Sequence, residues 1–206
     1  LTASLFGNTD KEKLTATAFT SEDVMAATFN TDIMTEIGKV IGNNCLSAGV
    51  AILYGPGNNI HRTPYGGRNF EYYSEDPALT GYVGSAITAG VQSNKGVGVT
   101  IKHYITNNQE TNRSAVNTSV SERTLREIYL KGFEIAVKES KPMSIMTSYN
   151  QINGVPAADS YDMNTNIARG EWGFDGMVMT DWGAGNRAGV DTMLSLIHIS
   201  EPTRPY

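Results

Sequence analysis

Hydrophobic and polar positions along this 206-residue chain alternate between helical and strand-like periods. From Ser21 apolar residues recur at spacings of three and four, through Val24, Met25, Phe29, Ile33, Ile37, Val40 and Ile41. That pattern predicts helix, interrupted near Asn30, with this stripe turned to the core. Gly49 to Tyr54 is an apolar run read as a buried strand, halted by Gly55-Pro56-Gly57. A long irregular stretch from Asn58 to Pro77 follows, and a loop of that length in a compact domain is usually functional. Helix is predicted from Ala78 to Gln92. A second strand spans Val97 to Ile101 and runs into Lys102-His103-Tyr104. Ser119 with Glu122 reads as a capping box opening a helix through Leu125, Ile128, Tyr129, Phe133, Ala136 and Val137. Pro142 precedes a third strand, Met143 to Tyr149. Tyr161 to Trp172 reads as helix, and Met177, Val178 and Met179 form a fourth strand that ends at Asp181. Further helix is expected from about Asn186.

Short apolar strands separated by amphipathic helices predict a parallel α/β sheet. The placement of polar residues favours a barrel: each strand is followed by a loop rich in Arg, Asn, His, Lys, Tyr or Asp, as at the reactive rim of such a fold. A doubly wound nucleotide-binding sheet fits less well. Gly55-Pro56-Gly57-Asn58-Asn59 is neither a dinucleotide fingerprint nor a phosphate loop. Four strands are half of the eight a barrel needs, so the expectation is a partial (β/α)8 TIM-like barrel, incomplete at both ends.

Composition narrows the function classes. With 40% hydrophobic and 18% charged residues, the chain has the make-up of a globular domain. A net charge of -5 without a Lys/Arg-rich run argues against a nucleic-acid partner. No apolar run reaches membrane-spanning length, so no membrane partner is read. Cys45 is the lone cysteine, which excludes an internal disulfide. Leu1 follows no initiator Met or signal pattern and reads as an internal cut, so localisation is not assigned. Leu194 to Tyr206, with Pro202 and Pro205, breaks the preceding composition and looks like translated sequencing adapter. The expected organisation is therefore a barrel fragment over residues 1–193 and an artefactual tail over 194–206, with His198 carrying no function.

The stretch Met177-Val-Met-Thr-Asp181-Trp182-Gly183 concentrates the chemistry. A carboxylate at a strand's carboxyl end can attack or stabilise a cationic carbon, and a flat aromatic beside it can stack on a pyranose. The competing reading is an Asp capping the next helix beside a core Trp.

Six segments in order make the pattern specific: Gly67-Arg-Asn-Phe-Glu-Tyr-Tyr-Ser-Glu-Asp-Pro77, Lys102-His103, Asn107-Asn-Gln-Glu-Thr-Asn-Arg113, Ser121-Glu-Arg-Thr-Leu-Arg-Glu127, Ser148-Tyr149-Asn150 and Thr180-Asp181-Trp182. Together, across roughly Ala18 to Val190, they resemble the N-terminal barrel domain of glycoside hydrolase family 3, and within it the β-glucosidases. The resemblance implies a retaining hydrolase of terminal β-D-glucosides or oligosaccharides, with Asp181 as nucleophile. It implies that Arg68, Lys102, His103 and Arg113 hold sugar hydroxyls or support that site. Tyr149 would stand close to the nucleophile, Met146 would form an apolar wall and Trp182 an aromatic one. Lys102 and Arg68 bring positive charge beside a nucleophile that works as an anion, and both carry several donors for hydroxyls. No cofactor and no metal is implied. Glu71, Glu75 and Asp76 read as loop-ordering groups, and Glu110 is a minor candidate for the general acid.

The resemblance also implies missing parts. The family's Asp-Gly-Pro motif is absent, and its acid/base Glu belongs to a second α/β domain of the same chain that nothing here matches. Rival readings stay open. β-Xylosidases of the same family differ by pocket shape, and a strand-end Lys102 could form a Schiff base in a lyase. A non-catalytic sugar-binding barrel is a third. The family's N-acetylhexosaminidase branch carries a different loop after its Lys-His pair than Lys102-His-Tyr-Ile-Thr-Asn-Asn-Gln109.

Overall fold

The computed structural model describes residues 17–184. The helix expected from Asn186 and the tail from Leu194 lie outside the described residues. In chain order the elements are α1 (Glu22–Ala26), α2 (Thr31–Ser47), β1 (Ile52–Gly57), a 3-10 turn (Asn69–Glu71), α3 (Pro77–Gln92), β2 (Gly98–Tyr104) and β3 (Asn117–Thr118). Next come α4 (Glu122–Thr124), a π-type stretch (Leu125–Tyr129), α5 (Lys131–Ser140), β4 (Ser144–Thr147), β5 (Gln151–Ile152) and β6 (Val155–Pro156). A 3-10 turn (Ala157–Asp159), a wide π-type helix (Asp162–Glu171) and β7 (Met177–Thr180) complete the set.

The main sheet has the order β1-β2-β4-β7, and every pairing is parallel. Each strand lies beside its predecessor, with a helical crossover between them. That one-directional winding is the pattern of a (β/α)8 barrel; a doubly wound sheet reverses its strand order. The layer of helices is held by α3, which packs against both α2 and α5. Between sheet and helices, the buried Tyr104 ring meets Phe133 at 5.2 Å and Trp172 at 6.0 Å, both edge-on, and its hydroxyl donates to the Met163 carbonyl at 2.8 Å.

Several expectations are corrected. The expected helix forms as α1 and α2 with a break over residues 27–30, and the Asn30 side chain caps α2 by accepting from Ile33 N at 3.0 Å. The stripe is only partly turned to the core: Met25 is buried and Ile37 and Ile41 pack against the core, but the fully buried face of α2 is a different one. It is Met34, Gly38, Gly42 and Cys45, while Val24, Phe29, Ile33 and Val40 are exposed. The glycines decide this: a Cβ on Gly38 would stand 2.9 Å from the Gly90 Cα of α3, and one on Gly90 would collide with the Thr35 carbonyl. Such close backbone approach is open only to the glycine face.

The first strand begins later than expected and continues through Gly55-Pro56-Gly57, with a bulge where Tyr54 and Gly55 both face Thr100. The second starts at Gly98 and extends to Tyr104. At Gly57 the Glu71 carbonyl and Tyr72 ring occupy the space a side chain would need. The cap of α4 is Ser121, accepting from Thr124 N at 3.2 Å, rather than Ser119. Residues 117–118 are tied up in a second small sheet, parallel to β5, which pairs antiparallel with β6 through Asn153-Gly154.

Candidate active site

The carboxyl ends of the four parallel strands carry the chemistry. β1 ends at Gly57, ahead of the buried Asn58 and Asn59; β2 bears Lys102 and His103; β4 leads into Ser148-Tyr149-Asn150; and β7 delivers Asp181. A cavity of about 300 Å³ opens among them. It is lined by Arg68, Lys102, His103, Arg113, Met146, Tyr149, Asp181 and Trp182, all eight residues that the sequence singles out, and by Tyr54, which it does not. Trp182 is 76% exposed and stands at the mouth.

Asp181 is oriented through its backbone and one carboxylate oxygen. Its N–H donates to the Thr147 carbonyl at 3.1 Å, and its Oδ1 accepts from Trp182 N–H at 2.7 Å. Oδ2 lies 3.6 Å from His103 Nε2. The Tyr149 hydroxyl donates to the Trp182 carbonyl at 2.5 Å and so braces the residue after Asp181. Burial, then the neighbouring Asp181, push the Tyr149 hydroxyl above its ordinary pKa, which keeps it a donor.

His103 is buried and fully engaged. Its backbone exchanges hydrogen bonds with the Asn59 side chain at 2.8 and 2.9 Å. Arg68 Nη2 lies 3.0 Å from Nε2 and Tyr72 Oη lies 3.1 Å from Nδ1. A guanidinium can only donate, so Nε2 accepts and the ring proton sits on Nδ1, facing Tyr72. Burial first, then the nearby Arg68 and Lys102, depress the imidazole to about 2, so it is neutral in ordinary buffers.

The irregular stretch after β1 supplies the rest. Its 3-10 turn places Glu71 against Arg68 in a two-point pair, Nε at 2.6 Å and Nη2 at 2.8 Å. The same carboxylate reaches Lys102 Nζ at 2.6 Å. Burial alone would raise the Glu71 carboxyl, but the hydrogen bonds from Arg68 and Lys102 hold it at about 2. His61 Nε2 is 2.9 Å from the carbonyls of both Asn69 and Tyr72, which fastens the turn. Asp76 caps α3, accepting from Ala78 N and Leu79 N.

Glu110 organises the third cation, pairing with Arg113 at 2.7 Å while accepting from Asn107 Nδ2 at 3.1 Å. Arg113 lies over the Tyr149 ring, 4.6 Å from its centre. Sequence reasoning therefore missed Tyr54, Asn59, Tyr72 and Asn107, and it read Glu71 and Glu110 without their partners. The three-residue spacings Arg68/Glu71 and Glu110/Arg113 are the signal that could have found the two ion pairs. No group of three or more His, Cys, Asp or Glu suited to a metal ion occurs among the described residues.

Known proteins share the family profile and the fold of this chain. The profile described as "Glycosyl hydrolase family 3 N terminal domain" matches residues 5–195. A β-glucosidase of Ruminococcus albus is 55% identical over 161 residues, 78% of this chain and 17% of its own length. An exo-alpha-(1->6)-L-arabinopyranosidase of Bifidobacterium longum is 46% identical over 188 residues, 91% of this chain and 25% of its own. Among solved structures, β-glucosidase 3B of Thermotoga neapolitana in complex with alpha-D-glucose superposes with a TM-score of 0.82 at 51% identity, covering 85% of this chain and 24% of that one. The chain thus spans a quarter or less of the length of these relatives. With a parallel, singly wound sheet and a profile match over nearly its whole length, the chain belongs to glycoside hydrolase family 3, as part of its N-terminal TIM-like barrel domain.

Proposed function

We propose that the protein from which this chain comes hydrolyses terminal β-D-glucosides by a retaining double displacement, with Asp181 as nucleophile. The observation that carries the reading is the convergence of Asp181, Arg68, Lys102, His103 and Trp182 on one cavity at the carboxyl ends of parallel strands. Its volume, at the lower end for ligand pockets, suits one sugar ring. Asp181 Oδ1 is held by Trp182 N–H, which leaves Oδ2 to attack the anomeric carbon. Arg68, Lys102 and Arg113 offer donors to hydroxyls, while Met146 and Trp182 offer apolar faces to the C–H side of the ring. The covalent glycosyl-enzyme is then released by water.

A retaining mechanism also needs a protonated group at the leaving oxygen. Glu71 does not suit, because its carboxyl is held at about 2, and both oxygens of Glu110 already accept hydrogen bonds. The resemblance to the family implies that the general acid is a Glu of a second α/β domain, in the part of the protein that this chain does not span. The Schiff-base alternative is disfavoured, since Lys102 Nζ is engaged by Glu71 and that pair must break before the amine could attack. A second reading has support in the arabinopyranosidase relatives. An α-L-arabinopyranoside is a pyranoside without the exocyclic CH2OH, so it and a β-xyloside are the substrates to compare with a β-glucoside.

The test is turnover of aryl β-D-glucosides, β-D-xylosides and α-L-arabinopyranosides by the full-length protein and by the 206-residue chain. The full-length protein is expected to favour the glucoside. The chain alone is expected to be slower by at least the ~10²–10⁴-fold that general acid help contributes. A full-length protein inert on all three glycosides would overturn the reading.

A further inference from the structure

The carboxylate of Glu71 is half-buried among cations that line the cavity, yet it is absent from the cavity wall itself. We propose that Glu71 is a positioning residue, one carboxylate that sets the directions of both Arg68 and Lys102 so that their remaining N–H groups face the sugar. The proposal rests on the glycosidase reading above.

Counting donors gives the argument its content. Arg68 has five N–H groups. Nε–H goes to Glu71 Oε2, and the two on Nη2 go to Glu71 Oε1 and His103 Nε2. Only the two on Nη1 lack a partner among the described residues. Lys102 has three donors, and one is taken by Glu71 Oε1 at 2.6 Å. Without Glu71 the fork of Arg68 could rotate and the flexible Lys102 stem could take many rotamers. With it, two cations from different elements, the loop after β1 and strand β2, are locked into one constellation before substrate arrives. Removing that search in advance is what makes a site preorganised.

The mount is itself rigid. Glu71 belongs to a turn whose carbonyl packs on Gly57, where no side chain fits, and the adjacent Asn69 and Tyr72 carbonyls are held by His61. Arg68, Glu71 and Lys102 side chains are each less than one fifth exposed, so solvent screens the pairs weakly. A carboxyl held at about 2 agrees with a permanent anion in this role. A carboxamide could not substitute: Gln offers one acceptor and two donors, so its NH2 would face the guanidinium in either orientation, and the ammonium as well in one of them.

The experiment uses the full-length protein carrying Glu71→Gln, Glu71→Asp and, as a control on an exposed surface pair, Glu36→Gln. Kinetics are measured on an aryl β-glucoside and a panel of its monodeoxy analogues, with thermal unfolding to confirm folding. Glu71→Gln is expected to lower kcat/KM by about 10- to 100-fold, the range for charge-assisted hydrogen bonds. Glu71→Asp should recover part of that, and Glu36→Gln should match wild type. The decisive readout is the deoxy penalty. Deleting the hydroxyl that meets Arg68 or Lys102 should slow wild type strongly and the Gln variant much less, because its cations are already misdirected. An unchanged deoxy penalty in a folded Gln variant, or kcat/KM within about 2-fold of wild type, overturns the Glu71 assignment alone. Should Glu71→Gln fail to fold, the Asp variant carries the same comparison. Wild-type protein that turns over none of the glycosides overturns the glycosidase reading and this inference with it.

Discussion

The cavity rim and the α2–α3 helix layer are held together by opposite means. At the rim, Arg68, Lys102, Arg113, Glu71, Glu110 and Asp181 place three cations and three carboxylate side chains in one neighbourhood, with His103 and Tyr72 threaded between them. Between α2 and α3 the contact is almost bare backbone, with Gly38 against Gly90 and Met34 and Cys45 filling in beside them. One region fixes direction through donors and acceptors, and the other fixes distance through the absence of side chains. Changes at the rim should therefore alter chemistry more than folding, and changes in the helix layer the reverse.

The largest expected effect is at the rim. Asp181→Asn in the full-length protein should lower turnover of an aryl β-glucoside by at least about 10³-fold while leaving the unfolding temperature near wild type. Kinetics beside thermal unfolding check both halves of that statement. A matching loss of stability would blur the comparison. Next comes Gly90→Val, which forces a side chain into the Thr35 carbonyl and should destabilise the chain by about 3 kcal/mol, read from urea unfolding. Wild-type stability there would show that α2 can stand off from α3 without loss.

Acid should then find the rim. His103 is neutral when folded, with its pKa near 2 against an ordinary 6.5. Below pH 6.5 the unfolded chain takes up a proton that the folded chain refuses. Stability should fall as pH drops below about 6.5, by up to ~1.4 kcal/mol per pH unit from this residue. Glu71, depressed to about 2 from 4.5, adds a further loss below 4.5. Glu22 is raised by burial and by Glu71, and it acts in the opposite sense. The difference between wild type and His103→Gln in urea midpoints from pH 7 to 5 isolates the histidine. Parallel curves would remove the assignment of a buried neutral ring. The smallest effect is on the solvent side of α2, where Lys39→Ala should cost no more than about 0.5 kcal/mol despite a 2.6 Å pair with Glu36.

The two regions were also unequally legible in the sequence. Parallel strands announced themselves as apolar runs, and residues at their carboxyl ends, such as Lys102, His103 and Asp181, could be placed from that alone. The helix face could not, because a hydropathy pattern counts Ile33 and Val40 as core and gives Gly38 and Gly42 no weight, whereas close approach inverts that ranking. The end of β1 was misplaced for a related reason: glycine and proline read as a stop, but here they continue the strand beneath Tyr72. The hairpin of β5 and β6 did carry a signal, Asn153-Gly154 between apolar residues, with both in the left-handed region at φ 48° and 89°. At the rim, the local pairs Arg68/Glu71 and Glu110/Arg113 were within reach of spacing, but the contact of Glu71 with Lys102 was not, because the fold alone brings β2 to the turn at Asn69–Glu71.

The central claim is that Asp181 becomes covalently attached to the sugar. An aryl 2-fluoro-2-deoxy-β-glucoside with an activated leaving group needs little acid assistance, so it should inactivate the full-length protein and leave a stable glycosyl ester. Peptide mass spectrometry after proteolysis is expected to place that mass on Asp181. A label on Glu71, Glu110 or any other carboxylate, with Asp181 unmodified in inactivated protein, would contradict the account.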